Sequence, residues 1–240
     1  MTGVGRQLYM GDCVEWMQLV PEGSVDLVVT DPPYLLKSTQ GGGAFGSKGR
    51  EYRDAVSDMA DGLPEEALEG MCRVLKKVNM YIFCSKDQVF QLIAWFRQRY
   101  GRRVTYDILT WHKTNPTPAC NNKYLSDTEY ILFFREKGVR VYGSYSTKHK
   151  YWVTPVNKAD KSRYGHPTVK PLEIVNDLVI NSSQPGDTVM DPFMGTGTTG
   201  VAALMNGRRF IGMETEERWF NTAVRRTGEA EDRRRKQARL

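Results

Sequence analysis

Two hydrophobic spacings alternate along the chain and lay out its elements. Short runs with strand character, rich in β-branched and aromatic residues, are Gln7 to Met10, Val25 to Thr30, Met80 to Cys84, Val104 to Trp111, Thr128 to Phe134, Thr188 to Met190 and Arg209 to Met213. Between them, apolar residues recur every three or four positions. Val14 to Leu19 is a short helix of this kind. Leu63, Ala67, Leu68, Met71, Val74, Leu75 and Val78 form the buried stripe of a second, with Pro64 at its first turn and Glu65, Glu66 and Glu69 near its positive end. Lys86 to Tyr100 places Val89, Leu92, Ile93 and Phe96 on one face, and Leu172, Val175, Leu178 and Val179 mark another helix that Pro185-Gly186 ends. A helix to Met205 and one from Glu216 to Arg226 complete the pattern. Strand and helix in alternation predict a doubly wound, mostly parallel α/β sheet.

Three stretches break the pattern. Residues 35–62 hold Gly41-Gly42-Gly43, Gly46 and Gly49 with no sustained period, and Lys37, Lys48, Arg50 and Arg53 make them basic. Compact domains rarely carry so long an irregular loop unless it is a lid or binding segment. Gly46-Ser47-Lys48 lacks the spacing of a P-loop. From Lys137 to Arg163, seven Lys/Arg residues face a single acid, Asp160, and are mixed with Tyr142, Tyr145, Tyr151 and Trp152. Basic residues among aromatics without a core pattern suit a nucleic-acid surface, with Lys148, Lys150 and Arg163 as candidate contacts. The tail, 227–240, is dominated by Arg233-Arg234-Arg235-Lys236 and is expected to be a disordered or phosphate-binding arm. Residues 1–226 then form one domain.

Composition narrows the class. A chain of 240 residues, 40% apolar, is a single globular domain, and its net charge of +6 favours a polyanionic partner. No apolar run approaches the roughly 18 residues needed to span a bilayer. Met1 to Met10 lacks the regions of a signal peptide, so a cytoplasmic protein is expected. Cys13, Cys72, Cys84 and Cys120 have no C-x-x-C spacing, and no metal site is indicated.

Candidate chemistry centres on Asp31-Pro32-Pro33-Tyr34, which ends the run Val25 to Thr30. Proline cannot donate to a sheet ladder, so the chain must leave the sheet there, at the edge where open α/β sheets bind ligands. The amine of a nucleobase is a poor nucleophile until its hydrogens are held. Asp31 and a carbonyl of the stiff proline turn could accept one N–H each, while Tyr34 stacks on the ring, a contact worth roughly 1–3 kcal/mol. The plain structural alternative is a strand cap, a turn and a packed tyrosine. A second strand ends in Asp191-Pro192-Phe193-Met194-Gly195-Thr196-Gly197-Thr198-Thr199-Gly200, which formally matches the dinucleotide fingerprint. Glu214, ending the next strand, is placed to hold ribose hydroxyls. Asp191 at the strand end would repel a pyrophosphate, so an amino-acid ammonium or a ribose is the better neighbour.

With both motifs in view, the chain resembles the amino-directed DNA methyltransferases, which methylate adenine N6 or cytosine N4 with S-adenosylmethionine. The tetrapeptide precedes the glycine loop, the order of the circularly permuted β class, and His166-Pro167-Thr168-Val169-Lys170-Pro171 is similar to that class's third signature. The resemblance spans Leu8 to about Arg226 and implies a seven-stranded, Rossmann-like sheet with one antiparallel strand, and a short target-recognition insertion at 137–165. It implies that Asp31, Pro32 and Tyr34 hold the target amine, with Asp31 also beside the cofactor. Asp191, Phe193, Gly195, Gly197 and Thr198 would line the cofactor pocket, Glu214 its ribose, Thr168 and Lys170 its methionine end, and Asp12 and Cys13 its adenine. Double-stranded DNA is the expected partner, with a homodimer left open. Asp at the first tetrapeptide position favours adenine over cytosine N4 in that family. An RNA methyltransferase and a catalytically silent DNA-binding module are the remaining alternatives.

Overall fold

The computed structural model describes residues 5–33, 62–116, 122, 124–156, 162–165 and 169–237. In chain order its elements are β1 (Arg6–Met10), α1 (Cys13–Leu19), β2 (Leu27–Thr30), α2 (Glu65–Val74), β3 (Asn79–Cys84), α3 (Lys86–Tyr100), β4 (Val104–Lys113), β5 (Thr128–Glu136), β6 (Tyr151–Thr154), α4 (Leu172–Ser182), β7 (Thr188–Asp191), α5 (Thr198–Met205), β8 (Arg209–Glu214) and α6 (Glu217–Gln237). The strands form one sheet in the order β1-β8-β7-β2-β3-β5-β4-β6. Among the described residues only β5 pairs antiparallel with its neighbours, β3 and β4.

Period-two alternation divides the core. Val28, Met80, Ile82, Leu132 and Met190 point to the face covered by α1, α2 and α3. Leu27, Val29, Tyr81, Phe83, Ile131 and Val189 point to the face covered by α4, α5 and α6. Burial on both faces is why these strands read as continuous apolar runs.

The sheet has one strand more than the seven expected. The addition, β6, lies inside the segment read as lacking a core pattern. It pairs parallel to β4, with Trp152 opposite Trp111. Trp152 is 8% exposed between exposed Tyr151 and Val153, and its indole N–H donates to Asp177 of α4 at 2.9 Å. The segment before it is also fastened down: Asn181 of α4 donates to the Thr147 carbonyl at 2.7 Å and accepts from its hydroxyl at 2.8 Å.

The second departure is α6. Expected to stop at Arg226, it runs on to Gln237, burying Thr227 and Ala230 and pairing Glu231 with Arg6 at 3.2 Å. Arg233 to Lys236 therefore belong to the last turns of a docked helix, where positive charge complements the helix dipole. Among the described residues no helix is long and apolar enough to cross a membrane.

The close approach of α5, α6 and β8 depends on glycine. A Cβ at Gly200 would lie 2.6 Å from the Phe210 ring and 2.7 Å from the Thr227 methyl. Overpacking of this kind typically costs about 1–3 kcal/mol. Gly200→Ala is expected to lower the thermal midpoint by roughly 2–10 °C. An unchanged midpoint in a melting scan would show that the contact can relax.

Candidate active site

Two prolines end β2, and the fully buried strand delivers Asp31 to its C-terminal edge. β7 lies alongside in parallel, with Leu27 opposite Val189 and Val28 opposite Met190. The two acidic strand ends, remote in sequence, are thus neighbours. The chain winds outward from β2 to β3 on one side and from β7 to β8 on the other, so the crevice between them is the topological switch point of the sheet.

Asp191 is 3% exposed and accepts three hydrogen bonds from its own chain. Thr30 Oγ1 donates to one carboxylate oxygen at 2.8 Å, the Phe193 N–H to the same oxygen at 3.1 Å, and Thr199 Oγ1 to the other at 2.7 Å. Burial pushes its pKa up to about 7 against these bonds, and the charge of Asp31 adds to the rise. Its carboxylate, expected beside the cofactor, is engaged by the fold and braces the glycine loop.

That loop turns on two left-handed residues, Gly195 at φ 51° and Gly197 at φ 81°. Thr198 then opens α5. The residue that clamps the loop carries no motif of its own. Arg226 of α6, buried, donates to the Thr196 carbonyl at 2.8 Å and hydroxyl at 2.7 Å and to the Thr198 hydroxyl at 3.2 Å. Phe193 packs, partly buried, on the α1 side of the core.

The next two strand ends continue the row. Glu214 ends β8, accepts from the Glu216 N–H at 2.8 Å, and is shifted upward in pKa by burial. Its carbonyl accepts from Gly11 at 2.9 Å, which fixes the end of β1 beside it. Asp12 caps α1 through the Val14 N–H at 2.7 Å. Cys13 is buried behind it, its thiol pushed up to about 12 by burial, then by Asp12, with Asp191 adding. Asp12, Cys13, Asp191, Gly195, Gly197 and Glu214 therefore gather along one edge. Acceptors there suit a ribose diol and an ammonium group, the donor set expected for S-adenosylmethionine, so the residues fit that cofactor.

Lys170, expected at the methionine end of the cofactor, stands beside Asp31. Its ammonium, with a side chain only 8% exposed, pairs with Asp31 and lies 3.5 Å from Glu129 of β5. Burial alone would lower its pKa, but Asp31 and Glu129 together hold it above the ordinary lysine range. Glu129 also pairs with Lys113 of β4 at 2.7 Å. Glu129 and Lys113 were missed because no motif contains them. The proline turn is steadied by α3: Gln88 donates to the Pro33 carbonyl at 3.5 Å.

Among the described residues, the nucleic-acid candidates Lys148, Lys150 and Arg163 do not form one cluster. Lys150 is paired with Asp107, and with strands roughly 4.8 Å apart β6 lies about 19 Å from β2. Lys148 precedes it and is exposed. Arg163 lies against Tyr164, and that ring also sits 4.2 Å from the Arg226 guanidinium, near the glycine loop. Tyr34, Lys37, Lys48, Arg50 and Thr168 lie outside the described residues.

A family model described as DNA methylase matches residues 25–225. The chain belongs to the DNA methylase family. Its similarity extends to type II methyltransferase M.HinfI of Haemophilus influenzae, 28% identical across 91% of this chain and 67% of that one. M2.DpnII of Streptococcus pneumoniae is 29% identical across 91% of this chain and 88% of that one. Among solved structures, the M1.HpyAVI–SAM complex superposes with a TM-score of 0.67 at 27% identity, covering 92% of this chain and 99% of that one. TTHA0409 of Thermus thermophilus, complexed with S-adenosyl-L-methionine, gives 0.60 at 26% identity, covering 95% and 96%. PvuII DNA methyltransferase, cytosine-N4-specific, shares the fold at a TM-score of 0.66 and 17% identity, covering 97% and 93%.

The buried carboxylate of this DNA methylase should leave a signature in its stability. A raised folded-state pKa means that the native state holds the Asp191 proton more tightly than the unfolded chain does. Its contribution therefore weakens as pH rises from about 4, the unfolded value, to about 7. Relative to Asp191→Asn, the wild type should lose stability across that window in urea titrations. A difference independent of pH would show that the folded-state pKa of Asp191 is not raised.

Proposed function

We propose that this methylase transfers the methyl group of S-adenosylmethionine to the exocyclic N6 amine of an adenine rotated out of double-stranded DNA. The observation that carries the reading is the meeting of Asp31 and Asp191 on adjacent parallel strands at the switch point. An amine acceptor is thereby set next to a loop suited to the cofactor. The M1.HpyAVI and TTHA0409 complexes with S-adenosylmethionine support the cofactor assignment. Asp at the head of the tetrapeptide supports adenine.

Each residue has a task in this reading. Asp31 accepts one N–H of the amine and the Pro32 carbonyl accepts the other, drawing the lone pair out of conjugation. Tyr34 stacks on the extruded ring, and that contact offsets part of the few kcal/mol that unpairing costs. Glu214 receives the ribose hydroxyls, and Asp12 and Cys13 border the adenine end. Gly195 and Gly197 allow the backbone to pass close by, and Phe193 and Thr198 complete the pocket. When bound, the cofactor supplies an electrophilic methyl on a sulfonium. Asp31 and the Pro32 carbonyl would hold the amine in line with that methyl, so that as the new N–C bond formed the methyl–sulfur bond would break, S-adenosylhomocysteine would leave and the amine proton would pass to solvent. Catalysis is mainly positioning and fixed acceptors, with no covalent enzyme intermediate.

The test is incubation with labelled S-adenosylmethionine and mixed-sequence duplex DNA, followed by nucleoside mass spectrometry. N6-methyladenine is the expected product. N4-methylcytosine would overturn the choice of base, label confined to RNA substrates the choice of polymer, and binding without transfer the enzymatic reading. Asp31→Ala should slow transfer by about 10²–10³-fold, the usual cost of one preorganised polar contact to the reacting group. Cofactor affinity should stay within a few-fold.

A further inference from the structure

Glu129 belongs to no recognised motif, yet it is built into the acceptor side of the site. β5 is the strand that runs against its neighbours, so its N-terminal end lies at the edge where β2, β3 and β7 finish. Glu129, the second residue of that strand, is 2.7 Å from the Lys113 ammonium and 3.5 Å from that of Lys170. Lys170 in turn pairs with Asp31. Four charges alternate in sign through the wall of the site: Lys113, Glu129, Lys170, Asp31. The Lys170 ammonium also lies 5.3 Å from the centre of the Phe83 ring. An ammonium so far removed from water is tolerated only with full compensation, and here two carboxylates share it. Burial would raise the pKa of Glu129, but Lys170 and Lys113 hold it below the ordinary carboxylate range, so the network stays charged.

We propose that Glu129 is a positioning residue for methyl transfer. By drawing the Lys170 ammonium between two carboxylates, it fixes the orientation of Asp31 and leaves that carboxylate partly unneutralised, with capacity to accept an amine N–H. Without the Glu129 charge, Lys170 is drawn further toward Asp31 and competes with the base for it. The inference rests on the reading of Asp31 as amine acceptor. It assigns no contact between Glu129 and either substrate.

The experiment compares wild type, Glu129→Gln, Glu129→Asp, Lys170→Gln and the Glu129→Gln/Lys170→Gln double variant. Single-turnover transfer to duplex DNA is measured at saturating cofactor, cofactor affinity by titration, and the melting midpoint alongside. Glu129→Gln should slow the step by about tenfold or more, since small misplacements of a reacting group are costly. Its cofactor affinity should change less than about twofold, and Glu129→Asp should recover part of the rate. In the Lys170→Gln background the further loss should be under about twofold, because Glu129 acts through Lys170. Wild-type rate in Glu129→Gln overturns the proposal, and so does an undiminished loss in the Lys170→Gln background. If Glu129→Gln does not fold, Glu129→Asp decides: its carboxylate is one methylene short, and full rate with an unchanged midpoint overturns the proposal. Wild type is the control for the function itself. Absent wild-type transfer refutes the adenine reading, whereas normal transfer insensitive to Glu129 refutes this role alone.

Discussion

The pairing of β2 with β7 is the constraint on which the rest of the structure depends, and the buried carboxylate of Asp191 is where it is fastened. A carboxyl group taken out of water is costly unless its oxygens are satisfied. Here the donors come from three places: Thr30 at the end of β2, Phe193 in the glycine loop and Thr199 in α5. The satisfaction of one side chain thus requires that the two halves of the doubly wound sheet be in register and that the loop be closed. Thr30 does double duty, because the residue after it is Asp31. A shift of β2 by one position would break the Thr30 bond and move Asp31 out of the crevice in the same step.

The glycines of the fingerprint divide their labour between the turn and the packing of the helix that follows. Gly195 and Gly197 adopt left-handed backbone that other residues enter at a cost, and they turn the chain from β7 into α5. Gly200 is helical and has no such need. Its missing side chain is what lets Phe210 of β8 and Thr227 of α6 reach the helix axis. Gly212 works in the same way opposite Met194. The matching spacing therefore reports both a turn and a packing seam. The carboxylate at its head is what sets it apart from a pyrophosphate cradle.

What was legible in the sequence was whatever has a local cause. Prolines ended β2 after Asp31, strands buried on both faces gave unbroken apolar runs, and glycine spacing marked the turn into α5. What stayed hidden has causes distributed along the chain. β6 contributes one core residue, Trp152, in four, so no alternation long enough to notice exists there. The C-terminal half of α6 docks through Thr227 and Ala230, small residues whose stripe is drowned by the arginines around it. Lys170 stood inside a recognisable motif, but its partners, Asp31 and Glu129, are set by the sheet order and could not be read from spacing. Arg226 likewise reaches the glycine loop only because α6 crosses α5.

One feature of the topology joins these hidden contacts. Parallel strands bring their C-terminal ends to the ligand edge, and a parallel sheet offers side chains there only from that end and from the loops that follow. The reversed strand β5 breaks the restriction by starting where its neighbours stop, so an ordered strand residue, rather than a loop residue, forms part of the wall. A strand is the stiffer support, since its backbone is held in the ladder: residues 130–135 pair with strands on both sides, and Glu129 pairs with Trp111 of β4. Glu129 inherits that stiffness, and β4 carries Lys113 to the same level from the other side. Lys170 lies just before α4 and must be held by its charge partners. Fixing that flexible side chain between a rigid acid and the acid at the end of β2 is how the antiparallel strand reaches the chemistry without touching a substrate.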